Sequence, residues 1–435
     1  MTYSIPPAGI PSVAQPLFHE YAFHPTNTVT NIPTSTRSRT GAQARTMRAL
    51  NLTLVLNHIL TDSGQATRSS IAQLTGITAS TVSRLVDEMV ACGLIDEVPP
   101  PADNSRGRPA MRLRPAKGKA VALGLEINVS GIDARLIDLA GYVIAEETRI
   151  GDYAQSDPQT TMNELAEIAH HIVHTHVTSS MFFVGSGLAL PGLISHDSLT
   201  YAPNLGWQDI PFSELLSPIA DLHPRVIGNE ADLAAFAISF PTPGVATGPS
   251  SFIYISGEVG VGGGVVVEHR SMSGAHGWSG EIGHVCVDPM GALCSCGAHG
   301  CLETFLGLRA LSASAGLESN ASVADVIAAA HNGSLRANSA LRDAGTALGR
   351  ALAATINVVD IPLVLLGGNI GELADEITEP ALTEMRTRIL QSSWCEPTVH
   401  SVPDSTWLAV TGAAHMVLQH LVNNPLEWTD PLPQD

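Results

Sequence analysis

The apolar pattern near the N-terminus predicts three helices, and the last two are joined by a tight turn. The first helical face ends at Asp62-Ser63-Gly64 and consists of Leu52, Val55, Leu56 and Ile59. Ser69 or Ser70 is expected to cap a short helix that ends at Thr75-Gly76. Helical spacing then resumes over residues 78–89, with an apolar face made of Val82, Leu85, Val86 and Met89.

A strand and a basic turn follow, and they complete the order of a winged helix-turn-helix. A strand begins at Leu94-Ile95, residues 105–109 form a turn with two arginines, and residues 111–114 alternate as a second strand. The helix over residues 78–89, which is the second helix of the helix-turn-helix, carries short hydrogen-bond donors and one guanidinium on the side away from the core: Thr78, Ser80, Thr81, Ser83 and Arg84. Such groups suit phosphates and base edges in a major groove. Arg106 and Arg108, with Gly107 between them, suit an adjacent narrow minor groove.

Beyond residue 118 the pattern changes to alternating strands and helices. Strand signals, the first three of which predict an antiparallel meander, lie at residues 121–127, 134–139, 142–148, 182–190, 252–255, 262–267 and 363–366. Residues 162–176 have helical spacing, and other helices separate the later strands. This alternation indicates an α/β architecture of two lobes with a cleft between them.

Composition excludes a membrane protein and indicates a reducing compartment. Of 435 residues, 44% are hydrophobic, and no apolar run approaches the length of a membrane span. The N-terminus lacks the pattern of a secretion signal, and six cysteines are too sparse for a disulfide scaffold. We therefore expect a cytoplasmic protein without a membrane partner. Residues 1–36 are rich in Pro, Thr and Ser and are expected to form a disordered tail.

The charge divides along the chain into a basic and an acidic part. Residues 37–119 carry twelve basic and six acidic side chains, whereas residues 120–435 carry ten basic and thirty-four acidic ones. An acidic surface repels phosphate backbones and a basic one attracts them. Contact with DNA is thus expected only from the N-terminal part, residues 37–117. The alternative for this part is a three-helix packing module with a solvated arginine loop.

One segment has the composition and spacing of a zinc site. Its four candidate ligands fall within eighteen positions of a loop punctuated by Gly and Pro, residues 284–301: His284, Cys294, Cys296 and Cys301. One imidazole and three thiolates match a closed tetrahedral zinc site. The alternative is that these cysteines are small buried residues. Cys92, Cys286 and Cys395 lie outside the set and are expected to be packing residues.

Residues 280–303, from Gly-Glu-Ile-Gly-His to Cys-Leu-Glu, resemble the signature of the ROK family of bacterial sugar kinases and sugar-responsive repressors. Further segments that stand in family order are residues 185–192, 229–231, 260–264 and 367–368, so the resemblance covers about residues 50–420. The winged helix-turn-helix is what the repressor branch adds. The resemblance implies an actin-like or ribonuclease-H-like two-lobed ROK domain over residues 118–435, a sugar in the cleft, and assembly as a dimer or higher.

The resemblance also implies which side chains surround the sugar: Asn204, Asn229, Glu230, Glu281, His284 and Glu303. Carboxylates and amides supply the acceptors and donors that sugar hydroxyls need. His284 would place one ring nitrogen on zinc and its ring edge towards the sugar. For Asn204, an ordinary role in the turn at residues 204–207 fits equally well.

The kinase motifs of the family are altered here at three places. ROK kinases open with Asp-x-Gly-Gly-Thr, but residues 126–130 read Glu-Ile-Asn-Val-Ser, so both glycines that let a phosphate approach the backbone are missing. The second phosphate loop reads Glu258-Val259-Gly260 in place of Gly-Thr-Gly, and the Asn-Asp pair reads Asn229-Glu230. A longer carboxylate side chain misplaces a catalytic base. We therefore expect no enzyme activity and no catalytic residue.

Together these expectations describe a zinc-containing, sugar-responsive transcriptional regulator, a repressor of carbohydrate uptake or catabolism genes. A homodimer or homotetramer would place recognition helices on a palindromic operator. Two alternatives stay open: an active ROK sugar kinase with an appended DNA-binding domain, and a regulator controlled by a protein partner. The identity of the sugar, and whether it carries a phosphate or an acetyl group, is open at this level.

Overall fold

The computed structural model describes residues 36–62, 64–100, 110–257, 259–318 and 320–429, with side chains from residue 45 onward. Residues 1–35 of the predicted tail, Arg106, Arg108 and Glu258 lie outside the described residues. In the described part, no helix combines the length and apolar character needed to cross a membrane.

The described residues between 36 and 115 form a winged helix-turn-helix, called the winged module below. Its elements are α1 (Thr36–Thr61), α2 (Arg68–Thr75), α3 (Ala79–Ala91), β1 (Ile95–Val98) and β2 (Arg112–Pro115). The two strands pair antiparallel, with Ile95 opposite Pro115. The four apolar residues predicted for α3 are fully buried, because their spacing places them on one helical face.

The predicted cap of α2 is wrong by two to three residues. Thr67 is the N-cap, and its hydroxyl accepts the Ser70 N–H at 3.1 Å. The Ser70 hydroxyl in turn accepts the Thr67 N–H at 2.9 Å. Ser70 therefore occupies the third helical position of a capping box, in which the second polar side chain is easily mistaken for the cap itself.

The first lobe has a five-stranded sheet, in the order β10-β6-β3-β4-β5. Its elements are β3 (Ala120–Ile127), β4 (Gly131–Asp138), β5 (Val143–Ile150), α4 (Pro158–His176), β6 (Phe182–Leu190), β7 (Leu193–Ile194), β8 (Ser198–Ala202), β9 (Trp207–Pro211), α5 (Phe212–Leu215), a 3₁₀ helix (Ser217–Leu222), β10 (Pro224–Asn229) and α6 (Glu230–Ser239). β3, β4 and β5 form the predicted antiparallel meander. β3 is buried along its whole length because helices cover both faces of the sheet.

The second lobe has another five-stranded sheet, in the order β13-β12-β11-β14-β15. Its elements are β11 (Phe252–Ser256), β12 (Gly262–Val267), β13 (Arg270–Ser271), a 3₁₀ helix (Ile282–His284), α7 (Glu303–Leu306), α8 (Leu308–Ala315), α9 (Val323–His331), α10 (Leu335–Val359), β14 (Leu363–Leu366), α11 (Gly368–Glu372), α12 (Ala374–Arg388) and β15 (Thr398–Ser401). α10 and α12 pack together, and their apolar residues share one core with this sheet. The last described elements are a 3₁₀ helix (Ser405–Trp407), α13 (Leu408–Asn423) and α14 (Leu426–Thr429).

Helix α13 joins the two lobes to the winged module. It lies against β3 and β6 of the first sheet and packs on α6, which in turn contacts β12 of the second sheet. Glycines permit this close approach: a Cβ on Gly124 would lie 1.8 Å from the Val410 carbonyl oxygen, and one on Gly412 would lie 1.8 Å from that of Leu233. At the other end of α13, the Thr53 hydroxyl of α1 donates to the Asn423 carbonyl at 3.2 Å.

Candidate functional site

A cleft of about 370 Å³ lies between the lobes, where strands of both sheets end. β3, β6 and β10 run parallel, so their carboxyl ends meet at one edge, and β11 and β14 are parallel in the second sheet. The cleft is lined by residues within two positions of the ends of these strands, such as Asn128 after β3 and Gly368 after β14. Crevices at the carboxyl ends of strands are the usual ligand sites of α/β proteins.

All six residues predicted to surround a sugar line this cleft: Asn204, Asn229, Glu230, Glu281, His284 and Glu303. They come from turns, helix starts and loops that are distant in sequence, and the folding of the two lobes brings them together. Their role towards a sugar stays a prediction.

Glu303, in the first turn of α7, connects the glycine loop before β12 with the cysteine loop. Its Oε2 accepts the Val261 N–H at 3.2 Å, and its Oε1 accepts the Ser295 hydroxyl at 3.0 Å. The side chains of Asn204 and Glu303 both come so close to Gly260 that a Cβ there would lie within 2.7 Å of each. A side chain at this point of the cleft wall would therefore displace the ends of the Asn204 and Glu303 side chains.

Asn229 and Glu230 stand where β10 passes into α6. The Asn229 Oδ1 accepts the Ala231 N–H at 2.8 Å and caps α6, while its Nδ2 donates to the Gly192 carbonyl at 3.1 Å. Glu230 occupies the first turn of the helix, where the helix dipole favours a negative charge. Asn229 thus has a structural role in addition to its place in the cleft wall.

Glu281 in the cleft wall and Asp232 beside it in α6 have raised pKa values. Burial raises the pKa of Glu281, with His284 opposing the shift and Glu303 adding to it. Burial also raises the pKa of the neighbouring Asp232 to about 7, against the hydrogen bond that the Ser271 hydroxyl donates to it at 2.6 Å. The described residues that line the cleft include no lysine or arginine.

Sequence reasoning missed several residues that complete the cleft: Glu126, Asn128, Tyr254, Ser405 and Thr406. The first two were noticed only as departures from a kinase motif. Tyr254 lies within a strand that reads as ordinary core. The last two lie in a 3₁₀ helix before α13, and nothing in the local pattern there indicates a ligand.

His284 and the three predicted cysteines form a compact cluster in the 284–301 loop. Their ligand atoms all lie within 4.8 Å of one another. The His284 Nδ1 is 3.6 Å from the Cys294 Sγ, and the Cys296 Sγ is 3.7 Å from the Cys301 Sγ. The opposite ring nitrogen, Nε2, lies 3.9 Å from the Glu281 Oε2 at the cleft wall. His284 therefore contacts both the cluster and the cleft.

These distances fit a tetrahedral metal site. Nitrogen and sulfur ligands about 2.0 to 2.3 Å from a tetrahedral ion lie about 3.5 to 3.8 Å apart, close to the two distances above. Burial raises the pKa of the Cys294 thiol, and burial with the neighbouring thiols raises that of Cys301 to about 12. Thiolates at these positions consequently need a compensating cation.

The remaining cysteines are not all packing residues as expected. Cys92 is partly buried at the end of α3, but Cys286 and Cys395 are exposed. They lie in irregular segments, where a single apolar residue need not face the core.

The five residues predicted for DNA contact in α3 lie on its solvent side or at its start. Thr78, Ser80 and Arg84 are exposed, and the Arg84 side chain retains 63% exposure although Glu88 lies 3.7 Å away. Thr81 and Ser83 are half-buried. The Thr78 hydroxyl caps α3 by accepting the Thr81 N–H at 3.3 Å, so it also has a structural role.

Comparisons with known proteins identify both parts of the chain. The ROK family model matches residues 122–420, and the MarR family model matches residues 53–104. The chain is 29% identical over 347 residues to the xylose repressor of Bacillus subtilis (strain 168), covering 79% of this chain and 88% of the relative. It is 27% identical over 277 residues to the glucokinase of Halalkalibacterium halodurans, covering 59% of this chain and 83% of the relative.

A solved structure shares the whole architecture. It is the crystal structure of a ROK family transcriptional regulator described as a homologue of the E. coli MLC protein, with a TM-score of 0.71 at 22% identity. The likeness covers 88% of this chain and 99% of the other. Since the ROK model matches more than half of the sequence and the winged helix-turn-helix precedes it, the chain belongs to the ROK family and carries a MarR-type winged helix-turn-helix at its N-terminus.

Proposed function

We propose that this protein is a transcriptional repressor whose affinity for DNA is set by a sugar in the cleft. One observation carries the proposal: the helix that lines the cleft is the helix on which the winged module packs. Ala409, at the start of α13, lines the cleft. Asn423, at the end of α13, accepts a hydrogen bond from α1. Sixteen residues of helix, about 24 Å at 1.5 Å per residue, join the two sites.

The contact between α13 and the winged module is apolar and continuous with both cores. Leu421 and Val422 of α13 are fully buried, as are Leu52, Val55 and Leu56 of α1, and these residues belong to one core cluster. A rigid apolar contact of this kind moves with the helix rather than independently of it. A shift of α13 would therefore reposition α3 with respect to DNA.

Operator DNA is the partner that the charge distribution favours. The basic residues are concentrated in the N-terminal part, and the body of the protein is strongly acidic. α3 would enter the major groove with Thr78, Ser80, Thr81, Ser83 and Arg84 towards DNA, while Arg106 and Arg108 are assigned to the wing from the sequence alone. A homodimer or homotetramer on a palindromic operator follows from the symmetry of such sites.

A sugar is the ligand that the cleft chemistry favours. Carboxylates and amides line it, and Asn204, Glu281 and Glu303 offer acceptors and a donor to vicinal hydroxyl groups. Zinc is the metal that a His and three Cys ligands select, held by His284, Cys294, Cys296 and Cys301. When bound, it would supply a structural cross-link that fixes the loop bearing Glu281 and orients the His284 ring edge towards the sugar.

The response requires that the sugar distinguish two states of the protein. A ligand that binds both states with equal affinity does not shift the equilibrium between them. Closure of the lobes around the ligand is the change we propose, because α6 and α13 form the seam between them and both reach the cleft. A repressor acting on the chromosome works in the cytoplasm.

A sugar kinase is the second candidate, favoured by the identity with a glucokinase. The contacts of the turn after β3 are evidence against kinase activity. Val129 is buried in the first-lobe core, and the Asn128 Oδ1 accepts the N–H groups of Ser130 and Gly131 at 2.9 and 2.8 Å. Those backbone groups are engaged where a kinase would offer them to phosphate. We therefore propose that the protein is not an enzyme.

The test measures DNA binding and nucleotide turnover on the same preparation. Fluorescence anisotropy with the protein's own promoter region, with and without a panel of sugars, is expected to show specific binding that one sugar changes at least about tenfold. A coupled ATP assay over the same panel is expected to show no turnover. Sugar-dependent turnover would establish the kinase instead. DNA binding without a response to any sugar would favour control by a protein partner.

A further inference from the structure

Backbone N–H groups surround the half of the cleft that corresponds to the phosphate loops of ROK kinases. These N–H groups already donate hydrogen bonds to side chains of the same protein. Such groups, at helix starts and glycine-rich turns, are what proteins use to hold phosphate. Four internal acceptors take them here: the Asn128 Oδ1 from Ser130 and Gly131 at 2.9 and 2.8 Å, the Glu303 Oε2 from Val261 at 3.2 Å, the Asn229 Oδ1 from Ala231 at 2.8 Å, and the Ser405 hydroxyl from Gly368 at 2.8 Å.

The side chains around these N–H groups are acidic. Glu126, Glu230, Glu281 and Glu303 line the cleft, and the described residues of its wall include no lysine or arginine. Residues 120–435 contain no lysine at all. Arg135, near the start of α13, packs on the Trp407 ring, donates to the Thr411 hydroxyl at 2.8 Å and pairs with Glu146 at 3.0 Å. It is therefore held away from ligand binding.

The acidic groups form two sets within one cleft. The Glu281 Oε2 lies 3.9 Å from the His284 Nε2, and Glu303 lines the same cleft. Glu126 lies near the end of β3, two residues before Asn128, and Glu230 directly precedes Ala231, whose N–H is capped by Asn229. Glu281, His284 and Glu303 of the first set are assigned to the sugar, as is Glu230 of the second set. Glu126 and Glu230 of the second set adjoin, in the chain, backbone N–H groups of the kind that bind phosphate. Hydroxyl groups can donate to these carboxylates, whereas a phosphate dianion cannot.

We infer that the cleft takes an unphosphorylated, uncharged saccharide and rejects phosphate esters of the same sugar. This inference rests on the proposed sugar response and narrows its ligand class. Two properties produce the selection. The N–H groups suited to phosphate are capped from within the chain, and four glutamates but no lysine or arginine are among the described residues that line the cleft. A phosphate would have to displace an internal acceptor and approach this acidic wall.

The expected discrimination is large enough to measure. One unit charge about 6 Å from another of the same sign, at an effective dielectric constant of about 20, weakens binding about 100-fold. A phosphate ester is thus expected to bind at least about 100-fold more weakly than its parent sugar.

Titration calorimetry on the full-length, metal-loaded protein tests this with matched pairs: glucose and glucose 6-phosphate, N-acetylglucosamine and its 6-phosphate, xylose and xylose 5-phosphate. Neutral disaccharides and inorganic phosphate complete the panel. Two variants, Glu126→Gln and Glu230→Gln, remove a charge at constant shape. Each is expected to reduce the ratio of sugar affinity to ester affinity about tenfold or more. Glu214→Gln, an exposed site on α5 outside the cleft, is the matched control and should leave this ratio unchanged.

The possible results separate this inference from the proposed function. An ester that binds as tightly as its parent sugar overturns the exclusion while leaving the sugar response intact. If the protein binds DNA but no saccharide, the proposed sugar response is wrong. The inorganic-phosphate arm of the experiment then tests by itself whether the cleft excludes phosphate. In that arm, wild-type protein must show no binding of inorganic phosphate at millimolar concentration and the double variant E126Q/E230Q must gain it; binding by wild type, or no gain in the variant, overturns the inference.

Discussion

Replacing Cys301 by Ser is expected to weaken the sugar site although Cys301 does not line the cleft. The residue is fully buried, and its Sγ lies 3.7 Å from that of Cys296. Serine keeps the size of the side chain but removes the soft thiolate. The Cys301→Ser variant therefore removes a metal ligand without changing a residue that lines the cleft. The His284→Ala variant would instead remove a metal ligand and a cleft residue together.

The magnitude follows from the four-ligand arrangement. A structural zinc site contributes about 10 to 16 kcal/mol, so that one ligand of four corresponds to about 3 kcal/mol, or about 100-fold in zinc affinity. The His284 ring is held by Nδ1 next to the Cys294 Sγ at 3.6 Å, with Nε2 at 3.9 Å from Glu281. Loss of the metal frees the ring, and sugar affinity is expected to fall about tenfold or more.

Three measurements check this reasoning for wild type, Cys301→Ser and Cys395→Ser. Metal content per chain is measured by mass spectrometry, zinc affinity by competition with a chelator, and sugar affinity by calorimetry. The exposed Cys395 lies outside the cluster and serves as the control, which should keep all three properties. Because linkage is reciprocal, saturating sugar should also raise the zinc affinity of the wild type by the factor that zinc raises sugar affinity.

A metal-free Cys301→Ser protein that binds sugar with wild-type affinity would refute the coupling between loop and pocket. The same variant with the zinc affinity of the wild type would refute the ligand assignment instead. These two failures are distinguishable because metal content, zinc affinity and sugar affinity are measured on one sample.

Three further predictions concern DNA, packing and pH. Arg84→Ala should lower DNA affinity and reduce the slope of log affinity against log salt by about 1, whereas Arg149→Ala on the acidic body should change neither. Gly412→Ala should lower the free energy of unfolding by about 3 kcal/mol in urea titrations, since the new Cβ would meet the Leu233 carbonyl at 1.8 Å; an unchanged midpoint would contradict the described packing of α13 on α6. Burial raises the pKa of Asp232 to about 7, so its favourable contribution to stability is complete below the unfolded value of about 4 and is lost as pH rises through 7. Asp232→Asn should therefore raise Tm more at about pH 8 than at about pH 5, and an equal gain at both would argue against a raised pKa.

The local elements and the metal cluster were predictable because their information is local. Helix α3 shows its buried face at positions 82, 85, 86 and 89, and backbone periodicity alone decides which side chains share that face. The four candidate metal ligands fall within eighteen residues, so a short loop brings them together without help from distant segments. The confirmed meander and the separation of basic from acidic residues are of the same kind.

The cleft could be anticipated only in part. Asn229 and Glu281 were named through a family resemblance, and spacing alone would not have joined them. Tyr254 and Ser405 gave no signal, because a core strand and a short 3₁₀ helix look the same with or without a ligand nearby. Which N–H groups are capped from within the chain also depends on contacts between segments as distant as Val261 and Glu303.

The sequence by itself determined the elements, the order of the two modules, the metal-ligand set and the charge division, since each depends on residues close together in the chain. Only the tertiary structure decided that α13 both lines the cleft and carries the winged module, and that internal acceptors occupy the sites where phosphate would bind. The physical reason is that such relations depend on close packing of surfaces far apart in sequence, in which Gly124 and Gly412 set how near a helix approaches. No local pattern encodes that distance.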